Sequence, residues 1–159
     1  MDTISHGAWT YLLAHRYPKR WLAVLGAVFP DFAVIGVAFV MFIHGSLKLS
    51  PPWQPQLYTL PLTPLIDSVF HSLVLWTILL GVSVLLQLSN LRWFIYGVFL
   101  HIGIDIVTHK QFLPWYLFPL TRSTVSGPVD YRTLTFTVVD ITLLLIAGYL
   151  LWHRYHKLR

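Results

Sequence analysis

His101, Asp105 and His109 stand four residues apart in HIGIDIVTH, inside the apolar run RWFIYGVFLHIGIDIVTHKQF. Imidazole nitrogens and carboxylate oxygens are ligands for divalent ions. On a helix, side chains four apart are offset by only about 40° around the axis, so His101 and Asp105 can hold one ion together. His109 is about 12 Å along the axis from His101, beyond a shared shell whose bonds are about 2 Å long. The spacing predicts His101 on one ion, His109 on a neighbouring ion, and Asp105 between them as a bridge. Such a pair of ions suits hydrolysis, one activating water while both clamp the charge that develops.

Three more polar residues, His6, Asp31 and His71, lie in otherwise apolar stretches and are candidates to complete the shells. Ionisable groups inside a membrane are costly and usually mark function. The alternative is that these side chains only pair with one another. The chain contains eight His, six Asp, no Glu and no Cys, so disulfides and thiolate metal sites are excluded and any ion meets only nitrogen and oxygen.

The elements that must position these groups are membrane helices. Mean hydropathy is +0.65 and 11% of the 159 residues are charged, against about 25% in soluble domains. A bilayer core needs about 20 apolar residues, and four segments qualify: 21–44 (interrupted by Pro30-Asp31), 69–88, 93–108 and 134–152. Residues 3–15 have helical periodicity but are too short to span. The expected fold is an all-α integral membrane bundle, one domain over 1–159, with about four transmembrane helices, a short N-terminal half-membrane helix and a basic tail at 153–159. Residues 45–68 hold Pro51, Pro52, Pro55, Pro61 and Pro64 and read as an ordered, non-helical connection or cap. Residues 110–133, with their aromatics, prolines and Gly127-Pro128, are expected at the interface, and Trp53, Trp93, Trp115 and Trp152 in an aromatic belt.

Net charge is +5, concentrated in HRYPKR and HRYHKLR. In so apolar a chain these read as topology signals and headgroup contacts rather than nucleic-acid binding. Arg16, Lys19, Arg20, Arg92, Arg154, Lys157 and Arg159 fall on one side, and Lys48, Lys110, Arg122 and Arg132 on the other. This asymmetry predicts a cytoplasmic C-terminus, and the expected location is a prokaryotic inner or cell membrane. The start Met1-Asp2 has no basic leader, so no cleaved signal peptide is expected. At about 1.5 Å rise per residue, His6, Asp31, His101 and Asp105 climb to between about 13 and 20 Å above the basic turns. His71 enters from the opposite side. Four segments thus aim polar groups at one layer of the bilayer.

The stretches MDTISHG, GAVFPDF, FHSLV, HIGIDIVTH and LPWYLFPL, in that order, resemble the membrane-bound metal-dependent hydrolase family. The order of ligands is also similar to that of zinc-dependent phospholipase C. The resemblance covers residue 1 to about 120. It implies His6, Asp31, His71, His101 and Asp105 as ligands, and Asp31 or Asp105 as the group that orients or deprotonates water. The chain has Phe32, Ala33 and Val34 where many members continue with Asp-His, and Ile66, Asp67 and Ser68 where many have His-Arg-Gly. His109 falls where a common form has Pro, while matching the third His of the phospholipase-like order. The implied activity is hydrolysis of an ester or phosphoester in a lipid or lipid-linked substrate by a metal-activated water, with one to three divalent ions, zinc foremost. A non-enzymatic metal carrier or a scaffold is the alternative.

Outside the cluster, Asp67 lies four before His71 and either orients that imidazole or caps a helix at 67–68. Asp140 either faces the same cavity or pairs with an Arg or Tyr of the bundle. Arg122 either binds an anionic substrate group through its guanidinium fork or contacts headgroups. His15, His44, His153 and His156 read as surface residues.

Overall fold

The computed structural model describes residues 1–47, 54–111 and 113–157, so Lys48, Pro51, Pro52, Trp53 and Arg159 of the readings above lie outside the described residues. Among the described residues the chain is all helical. Helices run in the order α1 (Thr3–Ala14), α2 (Arg20–Ile43), α3 (Gln54–Leu57), α4 (Thr63–Phe70), α5 (Leu73–Leu85), α6 (Ser89–Thr108) and α7 (Leu134–Lys157). Four units are long and apolar enough to cross a membrane: α2, α4 with α5, α6 and α7. The short α1 starts at the Asp2 carboxylate, which accepts from the Ser5 N–H at 3.0 Å, and packs along α2.

In lipid there is little hydrophobic drive between helices, so close packing and hydrogen bonds must associate them. The α2–α6 pair forms the spine of the bundle. At Gly97 an added Cβ would sit 1.9 Å from the Ala23 carbonyl oxygen, and at Gly26 one would sit 1.8 Å from that of Phe94. Both glycines are there because backbone meets backbone. Polar ties add register: Lys19 Nζ donates to Ser89 Oγ at 2.6 Å, and Ser5 Oγ and Trp9 Nε1 donate to Asp140 at 2.6 and 2.7 Å. Asp140 therefore anchors α7 to α1, neither facing the cluster nor pairing with an Arg or Tyr.

Pro30 does not interrupt α2; the helix continues through it to Ile43. It ends where Gly45, at φ +68°, allows the Ser46 and Gly45 N–H groups to return to Met41 and Phe42. Two expectations need correction. Residues 45–68 are partly helical: Pro64 occupies the first turn of α4, where a missing N–H costs nothing. The second span accordingly begins at Thr63 rather than 69, and it breaks at His71-Ser72 before continuing to Leu85.

That break lies among apolar helices, where a bare backbone group has no water to turn to. The aromatic-proline segment supplies the partners. Leu73 N–H donates to the Tyr116 carbonyl at 2.8 Å, Ser72 Oγ to the Phe118 carbonyl, and Trp115 N–H to Ser68 Oγ at 2.8 Å. Residues 110–133 are thus more than an interface strip, and Tyr116 is buried against Val98 and Ile102. Further along, Gly127, Val129 and Tyr131 donate to the carbonyls of His109, Val107 and Thr108, closing the end of α6.

Gly97→Ala is expected to destabilise the protein by about 2 kcal/mol or more, the usual cost of overpacking. Gly103→Ala, where nothing lies within 4 Å of the added carbon, is expected to be neutral or slightly stabilising. Denaturant unfolding in detergent micelles compares the two.

Candidate metal centre

The site is built around Asp105, buried on the last turn of α6. Its two oxygens face different neighbours. Oδ2 lies 3.0 Å from His101 Nε2, one helical turn earlier, and 3.6 Å from His71 Nε2 at the α4–α5 break. Oδ1 lies 2.8 Å from His6 Nε2, 3.1 Å from His109 Nδ1 and 2.8 Å from the Met1 amino group.

The other ring nitrogen of each central histidine is already committed. His101 Nδ1 is 2.6 Å from the Ala27 carbonyl of α2, one residue beyond the Gly26 carbonyl that Pro30 leaves without its helical donor. His71 Nδ1 is 2.9 Å from both the backbone carbonyl and Oδ1 of Asp67. Those acceptors hold the Nδ1 proton in both rings, so in the neutral form that ligates a metal each Nε2 presents a lone pair. The two Nε2 atoms are only 3.0 Å apart. Facing lone pairs at that distance repel unless a cation or a shared proton lies between them. Bonds of about 2.0 Å to a tetrahedral ion would separate ligand atoms by about 3.3 Å, close to the spacings among His71, His101 and Asp105. Among the described residues, these three form one of two groups able to hold an ion.

His6, Asp31 and His101 form the second group, their ligand atoms all within 4.8 Å of one another. The His6 ring stacks on His101 with centroids 3.7 Å apart. Although His6 Nε2 is near Asp105, the geometry is not that of a hydrogen bond, and both His6 nitrogens are buried without a hydrogen-bond partner. Asp31 Oδ2 is buried and unpartnered too. Such orphans are rare in a folded protein, and here they belong to residues of one candidate ligand group. One lone pair serves one ion, so the two groups compete for His101 Nε2. This differs from the expected bridge through Asp105. His109 belongs to neither group: α6 ends at Thr108, and the extended His109 backbone sets its ring beside Met1 and Tyr131.

Asp67 is inside α4 rather than at its start, so it is no N-cap. It receives the Tyr58 hydroxyl at 2.6 Å on Oδ2 while its Oδ1 meets His71. Burial, and then the Asp67 carboxylate, push the Tyr58 phenol up, keeping it protonated as a donor. Two participants escaped the sequence reading. Tyr58 carries no signal beyond an aromatic in a proline-rich stretch, and the Met1 amino group reaches Asp105 only because α1 packs back on α2.

A cavity of about 190 Å³ opens beside the cluster, bordered by Met1, Asp31, Ile35, Tyr58, His71 and Tyr131 among others. Among the described residues no Arg or Lys lines it, and Arg122, read as either a substrate or a headgroup contact, lies exposed with its guanidinium 5.1 Å from the Trp115 ring centre. Asp31 and Ile35 sit one turn apart on α2, and Ile35 is exposed on its outer surface. The cavity therefore has an edge at the lipid-facing side of the bundle. No family model, curated protein or solved structure matches the chain.

After exposure to zinc and removal of free metal, the protein is expected to retain about one tightly held equivalent in a tetrahedral-type site, read by inductively coupled plasma mass spectrometry. His71→Ala and His101→Ala should lose it, and His109→Ala should keep it. Tyr58→Phe and Asp67→Asn should weaken affinity by about 10- to 100-fold, as loss of a ligand-orienting partner does.

Proposed function

We propose that this protein is a membrane-embedded, divalent-metal-dependent hydrolase acting on an ester or phosphoester of a lipid or lipid-linked substrate. The observation that carries this reading is the pair of Nε2 lone pairs, from His71 and His101, held face to face beside Asp105 at the wall of a cavity. The donor set is nitrogen and oxygen on a rigid frame, which suits zinc. His71, His101 and Asp105 would hold the ion. When bound, it would supply Lewis acidity toward water and toward an ester oxygen.

The protein's own contribution then divides among named groups. Asp105 is fully engaged as a ligand and ion-pair partner, so it is a poor proton acceptor. Asp31 borders the cavity, its Oδ1 is 3.7 Å from His101 Nε2, and its Oδ2 has no hydrogen-bond partner. The Asp31 carboxylate is the candidate to orient water and accept its proton. Tyr58 and Asp67 hold His71 in the ligand tautomer. The apolar wall at Val34 and Ile35 suits the chains of a lipid arriving sideways.

A metal carrier is less well supported. It needs a polar route past the cluster, whereas the layer below is closed by the backbone contact of Ala23, Gly26 and Gly97 and by the buried side chains of Ile95 and Val98. The Lys and Arg excess at the opposite end supports a cytoplasmic C-terminus, with the cavity toward the outer leaflet.

With zinc-loaded protein in mixed micelles, release of phosphate esters or fatty acid from phospholipids is the expected activity. Asp31→Asn should lower kcat by about 10²- to 10⁴-fold, the range for losing a general base, with metal content unchanged. Full activity in Asp31→Asn would remove it from this role. Stoichiometric metal without hydrolysis across ester and phosphoester lipids would favour the carrier.

A further inference from the structure

At the end of the bundle remote from the cluster, α1 and α7 part below the Asp140 tie and leave a wedge. A cavity of about 420 Å³ lies there, walled by Tyr11, Leu12, Gly148, Leu151 and Trp152, with His15 and Arg20 at its rim. A second cavity of about 310 Å³ shares His15, Leu151 and Tyr155 with it and adds Arg16 and Arg154. The two form one groove, apolar inside and basic at its mouth.

The charge at that mouth is unbalanced. Among the described residues no carboxylate lines either cavity. Arg132–Asp130, at the other end, is the one Arg–carboxylate pair among the described residues. Arg20 is committed only weakly, with one 3.5 Å contact to the His15 carbonyl, its Cζ 5.9 Å from the Tyr11 ring centre, and a buried Nε without a hydrogen-bond partner. Guanidinium groups take phosphate in bidentate fashion, and His15 and the flanking aromatics suit the headgroup level. Nothing lies within 4 Å of a Cβ placed on Gly148, so the floor of the wedge is open enough for a hydrocarbon chain.

We infer that the groove between α1 and α7 binds an anionic phospholipid, its phosphate between Arg20 and Arg154 and one acyl chain in the wedge over Gly148. The bound lipid would fill the gap that α7, held to α1 mainly through Asp140, leaves in the bundle. This site is separate from the metal centre and does not depend on its chemistry.

The test uses the full chain in a neutral detergent, with native mass spectrometry and thermal unfolding in the presence of phosphatidylglycerol, phosphatidylcholine or inorganic phosphate. Retention of phosphatidylglycerol over phosphatidylcholine, with a raised Tm, is expected. Arg154→Gln and Arg20→Gln should each weaken that binding by about fivefold, the worth of one basic residue near an anionic headgroup, and Lys110→Gln should not. Gly148→Leu should abolish retention by filling the wedge without altering charge, which keeps the test decisive if Arg20→Gln fails to fold. Equal binding of the two lipids, or retention unchanged in Arg154→Gln and Gly148→Leu, would overturn the proposal. Stabilisation by inorganic phosphate equal to that by phosphatidylglycerol would also overturn it, assigning the rim to a soluble anion.

Discussion

A carboxylate buried among membrane helices carries a desolvation cost of several kcal/mol unless its neighbours replace the lost water. Asp105 is such a group, and the polar architecture around it is arranged to meet that requirement. α1 brings His6 and the Met1 amino group to one oxygen, while α4 and α6 bring His71 and His101 to the other. Removing any one neighbour leaves the rest around an undercompensated charge. The same convergence that stabilises the carboxylate also assembles ligand atoms at metal-binding spacing, so the two requirements reinforce each other.

The irregular parts of the fold follow from this. His71 can reach the cluster from the α4–α5 break, and a break at that depth exposes backbone groups that lipid cannot satisfy. Residues 115–118 are folded inward to satisfy them, which is why Tyr116 is buried and why Ser68 and Ser72 point at that segment. Residues 127–131 do the same for the end of α6. There an added Cβ at Gly127 would come within 2.4 Å of the Val107 carbonyl oxygen, so a close backbone approach again requires glycine.

Hydropathy made the four spanning units legible, because length and apolarity are local properties of a segment. The His101–Asp105 pairing was legible for a similar reason: a four-residue spacing on a helix is fixed by the helix itself. What depends on contacts between segments was not. Prolines at 61 and 64 read as breakers, although Pro64 starts a helix. Asp67 offered a cap or an orienting role on equal terms, and only the distance to Tyr58 and His71 separates them. The four-residue spacing to His109 suggested a second ion through Asp105; the His109 ring does reach Asp105 Oδ1 at 3.1 Å, but the helix stops at Thr108 and His109 falls in neither ligand group among the described residues. Asp140 gave no hint that its partners would be Ser5 and Trp9, more than a hundred residues away.

The charge is sorted along the molecule. Asp2, Asp31, Asp67 and Asp105 border the cavity, while Arg20 and its basic neighbours stand at the other end. An anionic substrate group approaching the cavity therefore meets four carboxylates, offset among the described residues only by the Met1 amino group already paired with Asp105. At a separation of several ångströms inside a low-dielectric site, that repulsion is large compared with any gain from the apolar wall. A bound divalent ion would offset two of those charges at the point where the substrate group meets the cluster. On the proposed reading, metal binding and substrate binding are then the same electrostatic event. Among the described residues no arginine lines the cavity, and on the proposed reading a permanent cation beside His71 and His101 would compete with the ion for Asp105 Oδ2, the oxygen that the Met1 amino group leaves to them.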